Sequence, residues 1–175
     1  MTIEELVEKD KTFDSATFIT KANNIIKKIY NSITLKELDT VKHFMTEEIY
    51  NSFNRELEEA AKSNRRLIYE EVNVASNISY ITETDFEYLI TVETTLKYLK
   101  YYLSPTGDCV AGDMNNRITA TYNYVFSKKK DALSTNNYKC PGCGSNINVN
   151  DKGKCNYCGT TFNLEDYDYI LVDIK

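Results

Sequence analysis

This sequence lacks several features that would indicate a particular location or function. No run of 18 or more apolar residues occurs, so no membrane-spanning helix is predicted. The first residues, MTIEELVEKDKTF, have neither a basic start nor an apolar stretch, which excludes a secretory signal. The sequence therefore predicts a soluble, cytoplasmic protein, with contact to the inner face of the membrane at most peripheral.

The signatures of common enzyme classes are also missing. The sequence contains no GxSxG, P-loop, GxGxxG or HExxH motif. His43 is the only histidine, and its place between two predicted helices favours a surface or capping role over catalysis. Carboxylates such as Glu56, Glu58 and Glu59 fall on helix positions expected to face solvent. The prediction is a protein that is not an enzyme and has no catalytic residue.

The charge balance argues against a nucleic-acid partner. Acidic residues outnumber basic ones by 26 to 21, which gives a net charge of −5 and a pI near 5.0. Proteins that bind phosphate backbones without sequence preference carry the opposite charge. The lysine run 128–130 is predicted to belong to a solvated linker.

The N-terminal third has the periodicity of amphipathic helices. Apolar residues recur at three- and four-residue steps after Asp14 or Ser15, either of which can cap a helix. A short segment follows, and a further helix is predicted after Thr46, with Glu47 and Glu48 in its first turn. The predicted buried faces are Phe18, Ala22, Ile25, Ile26, Ile29 and Ile33 in the first long helix, and Ile49, Phe53, Leu57 and Ala60 in the last.

After Asn64 the apolar period falls to two, which predicts β-strands. Three long strands are expected, and the turn at 104–108 contains Pro105 and Gly107. Short connections between long strands favour an antiparallel sheet that is half-buried on one face. The residues expected on its buried face include Phe86, Tyr88, Ile90, Tyr122, Tyr124 and Phe126, and the chain closes on a strand marked by Ile170, Val172 and Ile174.

Helices followed by an antiparallel sheet define an α+β fold. The sequence divides into an N-terminal extension at 1–12, an α+β domain at 13–128, a linker at 129–138, and a cysteine-rich module with the closing strand at 139–175. In the extension, Ile3, Leu6 and Val7 form at most a weak apolar patch, which predicts a frayed or docking helix.

Four of the five cysteines form two CxxC pairs, Cys140 with Cys143 and Cys155 with Cys158. Each short turn directs two thiolates to one point, and a glycine follows each pair. Four soft ligands in this arrangement predict a zinc ribbon holding one structural Zn²⁺, with the DKG sequence at 151–153 as the turn between two short strands.

Two other chemistries share these ligands. A rubredoxin-like iron site needs the same four cysteines, and sequence alone does not distinguish the two metals. Disulfides are disfavoured without a secretory signal. The remaining cysteine, Cys109, follows a turn and is predicted to be an inert free thiol.

The tyrosines suggest a second site. Tyr88, Tyr122 and Tyr124 lie in phase on their predicted strands with Ile90 and other apolar residues. An aromatic core is the simpler interpretation of this pattern. The functional alternative is an apolar pocket between the helices and a curved sheet, with tyrosine hydroxyls at its rim.

Several stretches resemble the Tim44-like domain family. These are the helical opening FDSATFITKANNIIKKIYNSIT and LKELDTVKHFMTEEIYNSFNRELEE, the hairpin YYLSPTGDCVAGD, and the tail KCPGCGSNINVNDKGKCNYCGTTFNLEDYDYILVDI, which is similar to the zinc ribbon that follows this domain in many bacterial members. The match runs from about Asp10 to Ile174. Lys100 stands where relatives often have an acid, and Tyr169 where a tryptophan is common.

The resemblance implies a cone-like fold of the nuclear transport factor 2 type, with helices on a curved antiparallel sheet around a concave pocket. Together with the missing catalytic motifs and the closed four-cysteine site, the resemblance predicts a non-enzymatic adaptor in a transport-related role, which binds a hydrophobic or lipid-like ligand or a partner protein. An enzyme on the same scaffold that acts on a small hydrophobic substrate is the alternative. Ribosome or RNA association is a third possibility, which the acidic charge disfavours.

Overall fold

The computed structural model describes residues 1–130, 138–140, 142–147, 154–161 and 168–175. Four helices come first in the chain: α1 (Ile3–Lys9), α2 (Ser15–Thr34), a 3₁₀ helix (Leu38–Phe44) and α3 (Glu47–Lys62). The strands are β1 (Arg66–Glu83), β2 (Glu87–Leu103), β3 (Cys109–Lys129), β4 (Tyr138–Lys139), β5 (Asn146–Ile147) and β6 (Ile170–Ile174). This order confirms the predicted α+β class.

The long helices form where the periodicity predicts them. The side chain of Asp14 caps α2 by accepting a hydrogen bond from the Thr17 N–H at 2.8 Å. Thr46 caps α3 through the Ile49 N–H. All six residues predicted for the inner face of α2 are buried. On α3 the predicted stripe is only partly covered, because Phe53 and Leu57 stay half-buried.

Four antiparallel strands form one curved sheet in the order β1-β2-β3-β6. Alternate residues of β2, from Tyr88 to Tyr98, point toward the helices and are buried, which makes this the concave face. Shifts in the β1–β2 register after Glu70 and Ile78 mark bulges. Bulges bend a strand and increase its twist, so these shifts account for part of the curvature.

The β3 strand contains its own irregularity opposite β2. The ladder passes from the pair Tyr98–Ile118 directly to Lys100–Asp113. Gly112, beside this shift, has φ of +80°. A Cβ atom there would lie 2.4 Å from the Lys100 carbonyl oxygen, so glycine is needed for both conformation and space.

The closing strand belongs to the main sheet. Prediction grouped it with the cysteine module at 139–175, but β6 pairs with the end of β3, from Tyr124–Ile174 to Ser127–Ile170. Its fully buried side chain is Leu171, whereas the residues that marked the strand in the sequence are half-exposed. The predicted DKG turn and most of the predicted linker lie outside the described residues.

The N-terminal extension docks on the body. Thr2 and Glu5 form a capping box at the start of α1, and the Leu6 side chain is fully buried in the main core. The Lys128 ammonium group contacts the Asp10 carboxylate at 2.5 Å just after this helix. Among the described residues, no helix is long and apolar enough to cross a membrane.

Two expectations about side-chain position were wrong. Phe86 was expected on the buried face of a strand, but it is 77% exposed. It lies in the tight turn between β1 and β2, where the Thr84 hydroxyl accepts hydrogen bonds from the backbone N–H groups of Phe86 and Glu87. His43 is buried, not at the surface, because the segment between α2 and α3 folds into the 3₁₀ helix and turns the ring inward against Phe44.

Candidate metal centre and binding face

The two CxxC pairs fold into two turns of the same design. In the first, the Gly144 N–H donates to the Cys140 carbonyl oxygen at 2.9 Å; in the second, Gly159 donates to Cys155 at the same distance. Both glycines have a positive φ, 72° and 74°. The left-handed glycine closes each turn and places its two sulfur atoms on one side.

The four sulfur atoms converge on one point. All lie within 4.8 Å of one another. The Sγ–Sγ distances are 3.6 Å from Cys140 to Cys158 and 3.7 Å from Cys143 to Cys155. A tetrahedron of thiolates about 2.3 Å from a central zinc ion has S–S edges of about 3.8 Å. The cysteines therefore fit a single four-coordinate metal ion, and all five cysteines of the chain are free thiols.

The second turn lowers the pKa values of both of its thiols. Backbone hydrogen bonds from Cys158 and Tyr157 lower the pKa of the Cys155 thiol to about 6. The Thr160 hydroxyl lies 3.0 Å from the Cys158 sulfur and lowers the pKa of that thiol as well. Burial has the opposite effect at Cys140, where it raises the pKa to about 11. Thiolate is the form that ligates metal, so the site combines prepared ligands with one that a bound cation must deprotonate.

The second candidate site is a cluster of tyrosines on the concave face. The ring of Tyr30, on α2, lies 5.0 Å from that of Tyr69 and 6.2 Å from that of Tyr98. Its hydroxyl lies 3.0 Å from the Tyr124 hydroxyl. Burial raises the pKa of Tyr124 and Tyr30 well above the ordinary value, so these hydroxyls stay protonated and act as neutral hydrogen-bond partners.

The three tyrosines singled out in the sequence occupy different environments. Tyr124 is 1% exposed and belongs to the floor of the cluster. Tyr122 points to the same face two residues away, with its ring 6.2 Å from that of Tyr124, yet it is 36% exposed. Tyr88 is buried at the other end of β2, where the Lys130 ammonium lies over its ring. The structure thus joins Tyr122 to Tyr124 and leaves Tyr88 apart.

A comparison with known protein families identifies the family of this chain. The family model described as the Tim44-like domain matches residues 1–140. The chain belongs to the Tim44-like domain family. No curated protein matches it. The match covers the helices, the long strands and the first cysteine of the cluster, while Cys143, Cys155 and Cys158 lie beyond it.

A charged group borders the tyrosine cluster of this Tim44-like domain. Glu56, on α3, accepts hydrogen bonds from Lys100 and, at 3.1 Å, from the Tyr69 hydroxyl. Glu56 was predicted at a solvated helix position, but only 29% of its side chain is exposed and its carboxylate binds the ammonium group of Lys100 on β2.

The face is completed by Tyr98, which the sequence analysis did not single out, and by two residues of the predicted alternation on β3. Tyr98 forms its centre, and burial raises its pKa to about 12. Ile118 and Ala120 continue the same face along β3, beyond the buried part of that strand. Their alternation with polar residues was visible in RITATYNYVF, but alternation does not tell how far along the strand the helices reach.

Proposed function

We propose that this Tim44-like protein is a non-enzymatic adaptor that binds an apolar ligand on the open part of its concave face. One observation carries the proposal. On a single face of β3, Tyr124 and Phe126 are buried under the helices, while Tyr122 and Ile118 remain 36% and 42% exposed. An aromatic floor that continues into an uncovered apolar strip suits a lipid-like molecule or an apolar segment of a partner protein.

The polar groups around this strip support binding over catalysis. Glu56 is engaged by Lys100 and Tyr69, and the buried tyrosine hydroxyls are neutral at physiological pH. Such groups orient a ligand by hydrogen bonds but offer no prepared base. The alternative, an enzyme, would use the Glu56 carboxylate as its catalytic group. An activity on a small substrate that is lost in Glu56→Gln but kept in Glu58→Gln would favour this alternative.

The cysteine module has a structural part in this proposal. Four cysteines close the coordination shell of one Zn²⁺ and leave no position for a substrate. The ion would hold the module folded beside the sheet, where Tyr157, 80% exposed, offers a surface for contact with a partner protein. Iron in the same site would perform the same structural task, and elemental analysis of the purified protein identifies the metal.

Native mass spectrometry of the protein as purified tests for a ligand that co-purifies. We expect one metal ion and a further mass of a few hundred daltons that mild organic extraction removes. The extracted protein should then bind a fluorescent fatty acid used as a probe.

Point variants locate that binding. Tyr122→Ser should weaken probe affinity about tenfold or more, because one side chain contributes roughly 1.5–3 kcal/mol when it is buried. Phe86→Ser is the matched control, since it removes an exposed aromatic ring from the β1–β2 turn. A protein without co-purified mass and without saturable probe binding, or equal effects of the two variants, would contradict the proposal.

A further inference from the structure

The helices α2 and α3 end in the same backbone motif. After α2 the Glu37 N–H donates to the Ser32 carbonyl oxygen, and after α3 the Arg65 N–H donates to that of Ala60, both at 2.9 Å. A bond of this kind closes a Schellman motif, which supplies backbone partners for carbonyl groups at the end of a helix. Cationic side chains near these two helix ends are therefore not required as caps.

The motif needs one residue in the left-handed conformation, and α2 uses an unusual one. Lys36 has φ of 56° after α2, and Asn64 has φ of 55° after α3. Glycine is the usual residue at this position, and asparagine is also found there. A lysine is strained in this conformation because of its Cβ atom. Since backbone strain is often found at functional sites, Lys36 indicates that its side chain has a task of its own.

Lys36 lies between two open depressions at this end of the body. The first, the apolar depression, has a volume of about 280 Å³, and the buried side chains of Leu38, Ala60 and Leu67 line it. The second, the basic depression, has a volume of about 420 Å³. Lys36 and Arg65 line both. A ligand that spans the two would have an apolar part on one side of these residues and a polar part on the other.

The basic depression has the chemistry of an anion site. Lys36, Arg65 and Arg66 line it, and no carboxylate does so among the residues that the structure describes. Arg66 donates a hydrogen bond to the Thr34 carbonyl oxygen at 3.3 Å, which leaves other N–H groups of its guanidinium for a ligand. Within the described part of the chain, neither Lys36 nor Arg65 forms an ion pair. Guanidinium groups match the geometry of phosphate oxygens, so a phosphate group suits this depression.

Two carboxylates line the apolar depression, and both already have partners. The Tyr50 hydroxyl donates to Asp39, and the Asn54 amide donates to Glu58 at 3.1 Å. A flat anionic membrane surface would be repelled by these carboxylates and by the net charge of −5. A small anion needs only the three nearby cations. The charge distribution therefore favours a soluble ligand over a bilayer.

We propose that the two depressions form one binding site for a soluble phosphate monoester with an apolar body. The phosphate group lies among Lys36, Arg65 and Arg66, and the body lies against Leu38 and Leu67. Ligand pockets have volumes from about 300 Å³ upward, so the pair of depressions is large enough for such a molecule. None of these residues belongs to the tyrosine cluster or to the exposed strip of β3, so this site is separate from the one proposed above.

Isothermal titration calorimetry of the full chain with naphthyl phosphate tests the site. We expect saturable binding with a dissociation constant of about 0.1 mM, which weakens as salt concentration rises. Naphthol and inorganic phosphate each lack one half of the ligand and should bind at least about tenfold more weakly. Vesicles that contain phosphatidylglycerol should not bind. No saturable binding of naphthyl phosphate, equally tight binding of naphthol, or binding of the vesicles instead would overturn the proposal.

Glycine variants separate the role of the Lys36 side chain from that of its backbone. Lys36→Gly removes the cation and relieves the left-handed conformation. It should bind naphthyl phosphate at least about tenfold more weakly, yet unfold at a urea concentration no lower than the original protein. Glu71→Gly is the matched control, because Glu71 also has a positive φ, 52°, but lies on β1 outside the site. This control should bind naphthyl phosphate like the original protein.

Equal affinity of Lys36→Gly and the original protein, or an equal loss in Glu71→Gly, would overturn the assignment of Lys36. Arg65→Gln provides a second variant that leaves the backbone motif intact, and it should weaken binding to a similar extent. Tyr122→Ser, which tests the exposed strip of β3, should still bind naphthyl phosphate. The two proposals can therefore fail independently.

Discussion

The helical and sheet body and the cysteine module are stabilised in different ways. In the body, side chains from every helix and from β1, β2, β3 and β6 meet in one apolar core. In the module, among residues 140, 142–145 and 154–161, only Cys140 and Cys155 are buried. Burial offsets the entropy of ordering the body. The proposal for the module is that a metal ion bound by the four cysteines stabilises it. Perturbations of one region should therefore leave the other largely intact.

The largest effect is expected from removal of a metal ligand. Cys140→Ser should abolish stoichiometric metal binding and unfold the module, because binding of zinc by four thiolates contributes roughly 10–16 kcal/mol. Elemental analysis measures the loss, and far-UV circular dichroism should show that the body still melts cooperatively.

The remaining cysteine provides the control for this experiment. Cys109→Ser changes an exposed thiol on β3 and should alter neither metal content nor melting. Stoichiometric metal in Cys140→Ser, or loss of the whole fold, would contradict the separation of the two regions.

Truncation of a core side chain should destabilise the body and leave metal binding by the cysteine module intact. Leu96 is fully buried at the centre of β2, and Leu96→Ala should lower the free energy of unfolding by about 3–5 kcal/mol through lost burial and a residual cavity. Urea denaturation measures the change, and native protein should keep its metal. Leu35→Ala, at a 60% exposed site, should cost less than about 0.5 kcal/mol. Similar values for the two variants would place the core elsewhere.

Glycine substitutions compare the regions at a finer scale. Gly112→Ala puts a Cβ against the Lys100 carbonyl oxygen at a positive φ, so it should destabilise the body by about 2–4 kcal/mol. Gly144→Ala has the same backbone problem but no atom within 4 Å of the added carbon, and about 1 kcal/mol is expected. Urea denaturation measures the stability of Gly112→Ala. Competition with a chelator measures the metal affinity of Gly144→Ala. A larger effect at Gly144 would reverse this ranking.

The features that could be predicted from the sequence are those that depend on local spacing along the chain. The inner face of α2 and the alternation of β2 follow from helix and strand geometry, so local spacing was enough to find them. The sequence also indicated the cysteine cluster, since two residues between the cysteines of a pair place both sulfur atoms on one side of a turn.

The parts that sequence could not predict depend on distant partners. Tyr122 and Tyr124 have the same phase on the same strand, and only the reach of the helices separates the exposed ring from the buried one. Likewise, Lys100 meets Glu56 across 44 positions of sequence. The return of β6 to β3 was missed because the intervening cysteine module suggested that the closing strand belonged with it.

The smallest effect is electrostatic and depends on pH. Burial raises the pKa of the Asp10 carboxyl, but hydrogen bonds from Lys128 and Thr12 outweigh burial and hold that pKa below its ordinary value of 3.8. A carboxylate with a lowered pKa stabilises the fold above its unfolded pKa and loses that contribution as pH falls through the folded pKa. Asp10→Asn should therefore cost about 1 kcal/mol near neutral pH, and the difference from the original protein should shrink below about pH 4.

The same acid titration separates the two regions once more. Metal release follows protonation of the thiolates, which Asp10→Asn does not touch, so the pH of metal loss should be identical in the two proteins. Asp173→Asn removes an exposed ion pair with Lys175 and should leave stability unchanged at every pH. Urea denaturation across the pH range, with metal content measured in parallel, makes both comparisons. If the Asp10 contribution persisted unchanged to pH 3, the contact with Lys128 would not be what holds α1 to the end of β3.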